Sequence, residues 1–127
     1  MIEPIQDRGQ QLPVPEGKVI GIVNSRNDFD TVTRALNRAG YPNDSMNALF
    51  GADGIEMLQR LRETAFFGDW ERAVVDEGIG ELEKGHYVLC VRVEDADEAA
   101  RIAHIATPLG AHTFNYFGMW INEQLTK

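Results

Sequence analysis

Two short stretches of the chain carry apolar residues on both alternating sides. Lys18 to Asn24 (KVIGIVN) sets Val19 and Val23 against Ile20 and Ile22. His86 to Val93 (HYVLCVRV) sets Tyr87, Leu89, Val91 and Val93 against Val88 and Cys90, which lie between His86 and Arg92. A strand that is apolar on both sides belongs in the middle of a sheet with both faces covered, so these two are predicted as the central pair. Elsewhere the period is helical. Phe29, Val32, Ala35, Leu36 and Ala39 follow Ser25 and Asn27, either of which can cap, and Gly40 closes the run. After the turn Tyr41-Pro42-Asn43-Asp44, Met46 to Phe50 is a short strand, and Gly51-Ala52-Asp53-Gly54 reads as a turn with a helix cap.

Ile55, Leu58 and Leu61 then fall three apart, and Asp69 to Lys84 forms a second amphipathic run that buries Trp70, Ala73, Val74 and Leu82. Gly78 and Gly80 predict a break or kink in it, since each costs about 1 kcal/mol relative to Ala. Asp95 caps the next helix with Glu98 reaching back, and Ala99, Ile102, Ala103, Ala106 and Leu109 form its inner stripe up to Pro108 and Gly110. Thr113 to Phe117 is a final strand, and Met119 to Leu125 a short helical or extended tail. The order predicts an α+β fold, a ferredoxin-like βαββαβ sandwich with a helical insertion between the second and third strands. Residues 1–17, with Pro4, Pro13 and Pro15, form an extended arm anchored by Ile2, Ile5, Leu12 and Val14, and residues 18–127 form the single domain.

In a four-stranded sandwich the helices cover one face only, so the side bearing Ile20, Ile22, Val88 and Cys90 needs a second cover. The arm, the insertion, the aromatic tail or a second subunit must supply it. These four residues, with Phe117 and the interface anchor Trp120, are the expected contact surface of a homo-oligomer, taken as a dimer, or of a protein partner.

Composition narrows the partners. The 127 residues carry 20 acidic and 12 basic side chains, a formal charge of -8, which disfavours nucleic acid and anionic membranes. Apolar runs of about five residues fall well short of the roughly 20 needed to cross a bilayer. The first residues lack a basic start and an apolar core, so no secretory signal is expected, and the single Cys90 suits a reducing compartment. The expected location is cytoplasmic.

Candidate chemistry is sparse. His86, His104 and His112 lack the close pairing of a zinc site, and Cys90 lies about 13 Å from His86 along one strand face, so no metal and no cofactor are expected. A thiol nucleophile would need His104 or His112 to arrive from another element. Gly51-Ala52-Asp53-Gly54 lacks the Lys and Ser/Thr of a phosphate loop, and Asp53 would repel an anion. The carboxylates Asp28, Asp30, Asp76, Glu77, Glu94, Asp95, Asp97 and Glu98 fall mostly at helix starts or on outer faces, where the dipole or solvent accounts for them. The segment His112 to Trp120 is the richest in polar and aromatic groups. His112, Asn115 and Tyr116 are its candidate ligand-binding residues, with core or interface packing as the competing role. No catalytic residue is assigned, although an enzyme in which His112 or His104 meets Tyr116 or a carboxylate in a closed cavity is a third possibility.

Three stretches, KVIGIVNSRNDFDTVTRALNRAGY (18–41), FFGDWERAV through LEKGHYVLCVRVEDADEAARIA (66–103) and LGAHTFNYFGMW (109–120), resemble the bacterial general-stress-protein or heat-induced-stress-protein domain. This chain has Gly78-Ile79 where members often carry Tyr-Glu, and Gly85-His86 where they often carry two glycines. The resemblance implies a compact α/β module linked to stress responses, with no established reaction and no catalytic residues to transfer. The expected function is therefore a non-enzymatic, stress-associated module acting by self-association or protein binding. The alternative is a small-molecule sensor or carrier with a pocket near the C-terminal aromatic segment.

Overall fold

The computed structural model describes residues 17–64, 69–117 and 122–124. Most of the arm, the anchor Trp120 and most of the predicted tail lie outside these residues, as do the side chains of Trp70 and Phe117. The fold is α+β. Among the described residues, four α-helices flank a five-stranded antiparallel sheet of order β2-β3-β1-β4-β5.

Strands β1 (Lys18–Val23) and β3 (Tyr87–Arg92) form the central pair, as their two-sided apolar pattern requires, with Ile20 opposite Cys90 and Ile22 opposite Val88. Strand β2 (Met46–Leu49) pairs with β3, and β4 (Ala111–Phe117) pairs with β1. β4 starts two residues before the expected Thr113. A short β5 (Asn122–Gln124) adds to it, so that part of the tail is extended.

Helices α1 (Arg26–Arg38) and α4 (Ala96–Ala106) cover one face. Ser25, rather than Asn27, caps α1 by accepting the Asp28 backbone N–H at 3.1 Å. Asp95 caps α4 by accepting from the Glu98 N–H at 2.9 Å, while Glu98 reaches back to the N–H of Glu94, one residue before the cap. The stripe ends with α4 at Ala106, and Leu109 sits in a 3-10 turn beyond it. Beneath these helices lies the larger core. Phe29 and Phe50 stack on Tyr87 with ring centroids 4.9 and 4.4 Å apart, and Leu36, Leu89, Ile102 and Phe114 are fully buried.

The opposite face is covered by the insertion, α2 (Gly51–Thr64) and α3 (Asp69–Glu83). Helix α2 begins at Gly51, one turn earlier than expected, so the GADG turn is its first turn. Helix α3 runs through Gly78 and Gly80 without a break. Gly78 is where it meets the second layer, since a Cβ there would stand 3.1 Å from Leu58 Cδ1 and 3.8 Å from Val88 Cγ2. Its inward stripe is Val75, Gly78, Ile79 and Leu82, whereas Ala73, expected inside, is exposed. Ile22, Val88 and Cys90 are buried with Leu49, Met57, Leu58, Val75 and Leu82 in this second core, and Ile20 packs partly buried against it. The cover required by the apolar second face thus comes from within the chain. Ile22, Val88 and Cys90, expected on a contact surface, are buried core positions within the chain.

Candidate functional site

The second layer does not reach evenly across the sheet. Helices α2 and α3 pack over β2 and β3, while the same face of β4 presents polar side chains. At this boundary lies a partly open cleft enclosing about 30 Å³. Its floor is Ile20, Ile22, Val88 and Cys90, α2 and α3 supply Leu58, Leu61 and Val74, and Thr113 and Asn115 form the β4 wall. Lys18 and Glu77 put one charge of each sign on its lining.

A bulge in β4 creates that wall. Ile20 pairs with Asn115 and Ile22 with His112, so two steps along β1 match three along β4. The extra residue falls at Thr113, which has φ 57, a left-handed conformation that is an outlier for a β-branched residue and costs on the order of 1–3 kcal/mol. In an uninterrupted strand His112, Phe114 and Tyr116 would share a side. The bulge instead sends Phe114 and Tyr116 into the first core and leaves His112 on the cleft side, opposite Ile22. Phe114 lies so close over Gly21 that a Cβ at that position would be 2.4 Å from its ring.

Of the three residues predicted to bind a ligand, Asn115 lines the cleft, His112 sits beside it, and Tyr116 is buried on the other side of the sheet. The expected trio therefore does not form one pocket: the bulge brings His112 to the side of Asn115 and leaves Tyr116 on the other. His112 has two partners that sequence reasoning did not supply. Its Nε2 lies 2.7 Å from Asn24 Oδ1 and its Nδ1 lies 2.7 Å from Thr113 Oγ1. An amide oxygen only accepts, so Nε2 carries the proton, and in the neutral ring Nδ1 accepts the Thr113 hydroxyl. Asn24 follows β1 as an ordinary polar strand end, and nothing in its neighbourhood in sequence signals this contact.

Cys90 is buried, and burial, only partly offset by the Lys18 ammonium, pushes its thiol up to about 12. It acts as a small apolar floor residue rather than a nucleophile. No group of three or more His, Cys, Asp or Glu residues able to hold a metal ion occurs among the described residues. No helix among them is long and apolar enough to cross a membrane. In comparisons with known proteins, no family model, no curated protein and no solved structure matches the chain.

Proposed function

We propose that the chain is a small-molecule-binding module whose cleft takes a small, largely apolar molecule, with Thr113 and Asn115 holding its polar group. The observation that carries this reading is the lining: aliphatic residues of both layers face two uncharged polar side chains across one opening. A water needs roughly 10–15 Å³ of such space, so the enclosed part of about 30 Å³ receives only a few heavy atoms and the rest of a ligand lies towards solvent. The self-association reading had its motive in an uncovered apolar face, and that face is met by α2 and α3. A role in stress responses rests on the resemblance of residues 18–41, 66–103 and 109–120.

The ferredoxin-like arrangement belongs to the same proposal. It is supported by the antiparallel order β2-β3-β1-β4, by α1 and α4 packing together on one face, and by the position of α2 and α3 between β2 and β3 in the chain.

A thermal-shift series with short-chain alcohols, amides and esters tests the binding site, alongside Leu61→Trp, which places an indole in the cleft. The expected result is a rise in Tm with ligand concentration, equivalent to about 2.7 kcal/mol at a hundredfold excess over Kd, that disappears in the variant. No rise, or the same rise in the filled variant, excludes this cleft as the site.

A further inference from the structure

We propose that Thr113, His112 and Asn24 form an acyl-transfer site at the polar wall of the cleft, acting on small apolar esters with the Thr113 hydroxyl as nucleophile. The proposal rests on the cleft being a ligand site, and adds a reaction to it. Three observations converge. Thr113 lines the cleft and its Oγ1 lies 2.7 Å from His112 Nδ1, the reach required of a nucleophile and its base. Asn24 Oδ1, 2.7 Å from Nε2, holds the ring in the tautomer that leaves Nδ1 free to accept. Thr113 is held at φ 57 on a bulge, a strained backbone conformation of the kind that clusters at active sites.

The neighbouring groups suit the chemistry. Asn115, two residues on, lines the same wall, and its amide donates to the Thr113 carbonyl at 3.4 Å, a long bond for a group with two N–H donors. That amide can serve the oxyanion. Ile20, Leu58, Leu61 and Val74 offer an apolar seat for a short acyl chain. Cys90, the other nucleophile on the lining, is held as a neutral thiol by burial.

In the first half-reaction Oγ1 attacks the ester carbonyl as its proton passes to Nδ1. The carbonyl–alkoxy bond then breaks, and the proton leaves with the alcohol, giving acyl-Thr113. In the second, water attacks the acyl group, its proton passes to Nδ1, and the carboxylic acid and the free hydroxyl are released. One ester and one water give one acid and one alcohol, with no other reactant. Thr113 and His112 are catalytic residues in this scheme and Asn24 is a positioning residue.

The test uses the full chain and p-nitrophenyl acetate, with peptide mapping of the protein quenched during turnover and thermal shift with the uncleavable N-methylacetamide. An acetyl group on Thr113 in the unaltered protein supports the proposal without any variant. So does a loss of turnover on the order of 100-fold or more in Thr113→Val and His112→Gln, with Thr113→Ser retaining activity. Asn24→Ala should lower kcat with KM unchanged, and Asn24→Asp, which still accepts from Nε2, should restore it. Acetyl on lysines alone, with turnover unchanged in Thr113→Val, overturns the acyl-transfer site. If the amide still shifts Tm in that case, the binding reading survives alone; if neither amide nor ester shifts Tm, both readings fall.

Discussion

At the scale of single residues, two positions hold the β4 geometry in place. Gly21 exists because Phe114 needs its space: an added Cβ would overlap the ring at 2.4 Å, and that ring is the centre of a packed core rather than a side chain with room to swing. Gly21→Ala is expected to destabilise the fold by about 1–3 kcal/mol in urea unfolding, as overpacking does, and Phe114→Leu in the same chain should recover part of the loss. If the two changes simply add, the contact does not limit this site. Cys90 supplies a second prediction. Its folded value of about 12 lies above its ordinary 9.0, so the neutral thiol contributes stability that is whole below 9.0 and is lost as pH rises towards 12. Cys90→Ala should flatten that alkaline loss in denaturant midpoints. Neither position was legible beforehand in full. The burial of Cys90 followed from its place on a two-sided apolar strand, but nothing in AHTFNYF marks Thr113 as the extra residue, and the assignment of His112, Asn115 and Tyr116 depended on that parity.

At the scale of elements, caps and central strands were the legible part, because Ser25, Asp95 and Glu98 act through groups within four residues of themselves. Helix α3 was not, because Gly78 is explained by neighbours distant in sequence. Gly78 meets Leu58 and Val88, whereas a Cβ at Gly80 would meet nothing within 4 Å. Gly80→Ala should therefore stabilise the protein by up to about 1 kcal/mol in thermal or urea unfolding, the helix-propensity gain. Gly78→Ala, with the same propensity gain, must displace Leu58 Cδ1 from 3.1 Å and should come out less stable than Gly80→Ala. The reverse order would mean that close approach is not why α3 keeps Gly78. The C-terminal end of α3 is tied to the entry of β3 by Glu81, whose carboxylate lies 2.7 Å from His86 Nδ1 and 3.2 Å from Lys84 Nζ. Burial raises its pKa, yet the hydrogen bonds from His86 and Lys84 outweigh that and hold it below its ordinary 4.5. A depressed carboxylate stabilises the fold above its unfolded value and loses that contribution as pH falls through the folded one, so Glu81→Gln should show a shallower loss of urea midpoint across the acid range.

At the scale of the whole molecule, one sheet serves two cores of different make-up. Among the described residues, the first holds the buried aromatics Phe29, Tyr41, Tyr87, Phe114 and Tyr116, whereas the second is built on aliphatic side chains with Met57 and Cys90. A layer with less apolar burial opens at lower free energy, so α2 and α3 are expected to separate from the sheet before the sheet itself unfolds. Cys90 lies at that boundary and reports on it, being buried while the layers are closed. In Leu82→Ala, which hollows the second core, Cys90 should react with a disulfide reagent well below the denaturant concentration at which far-UV circular dichroism is lost. In Leu36→Ala, which weakens the first core, labelling and loss of circular dichroism should coincide. Coincident transitions in both variants would show that the two layers unfold as one unit. A cleft between them would then have to admit its ligand through side-chain motion alone, which limits what it takes to molecules that fit the space already present.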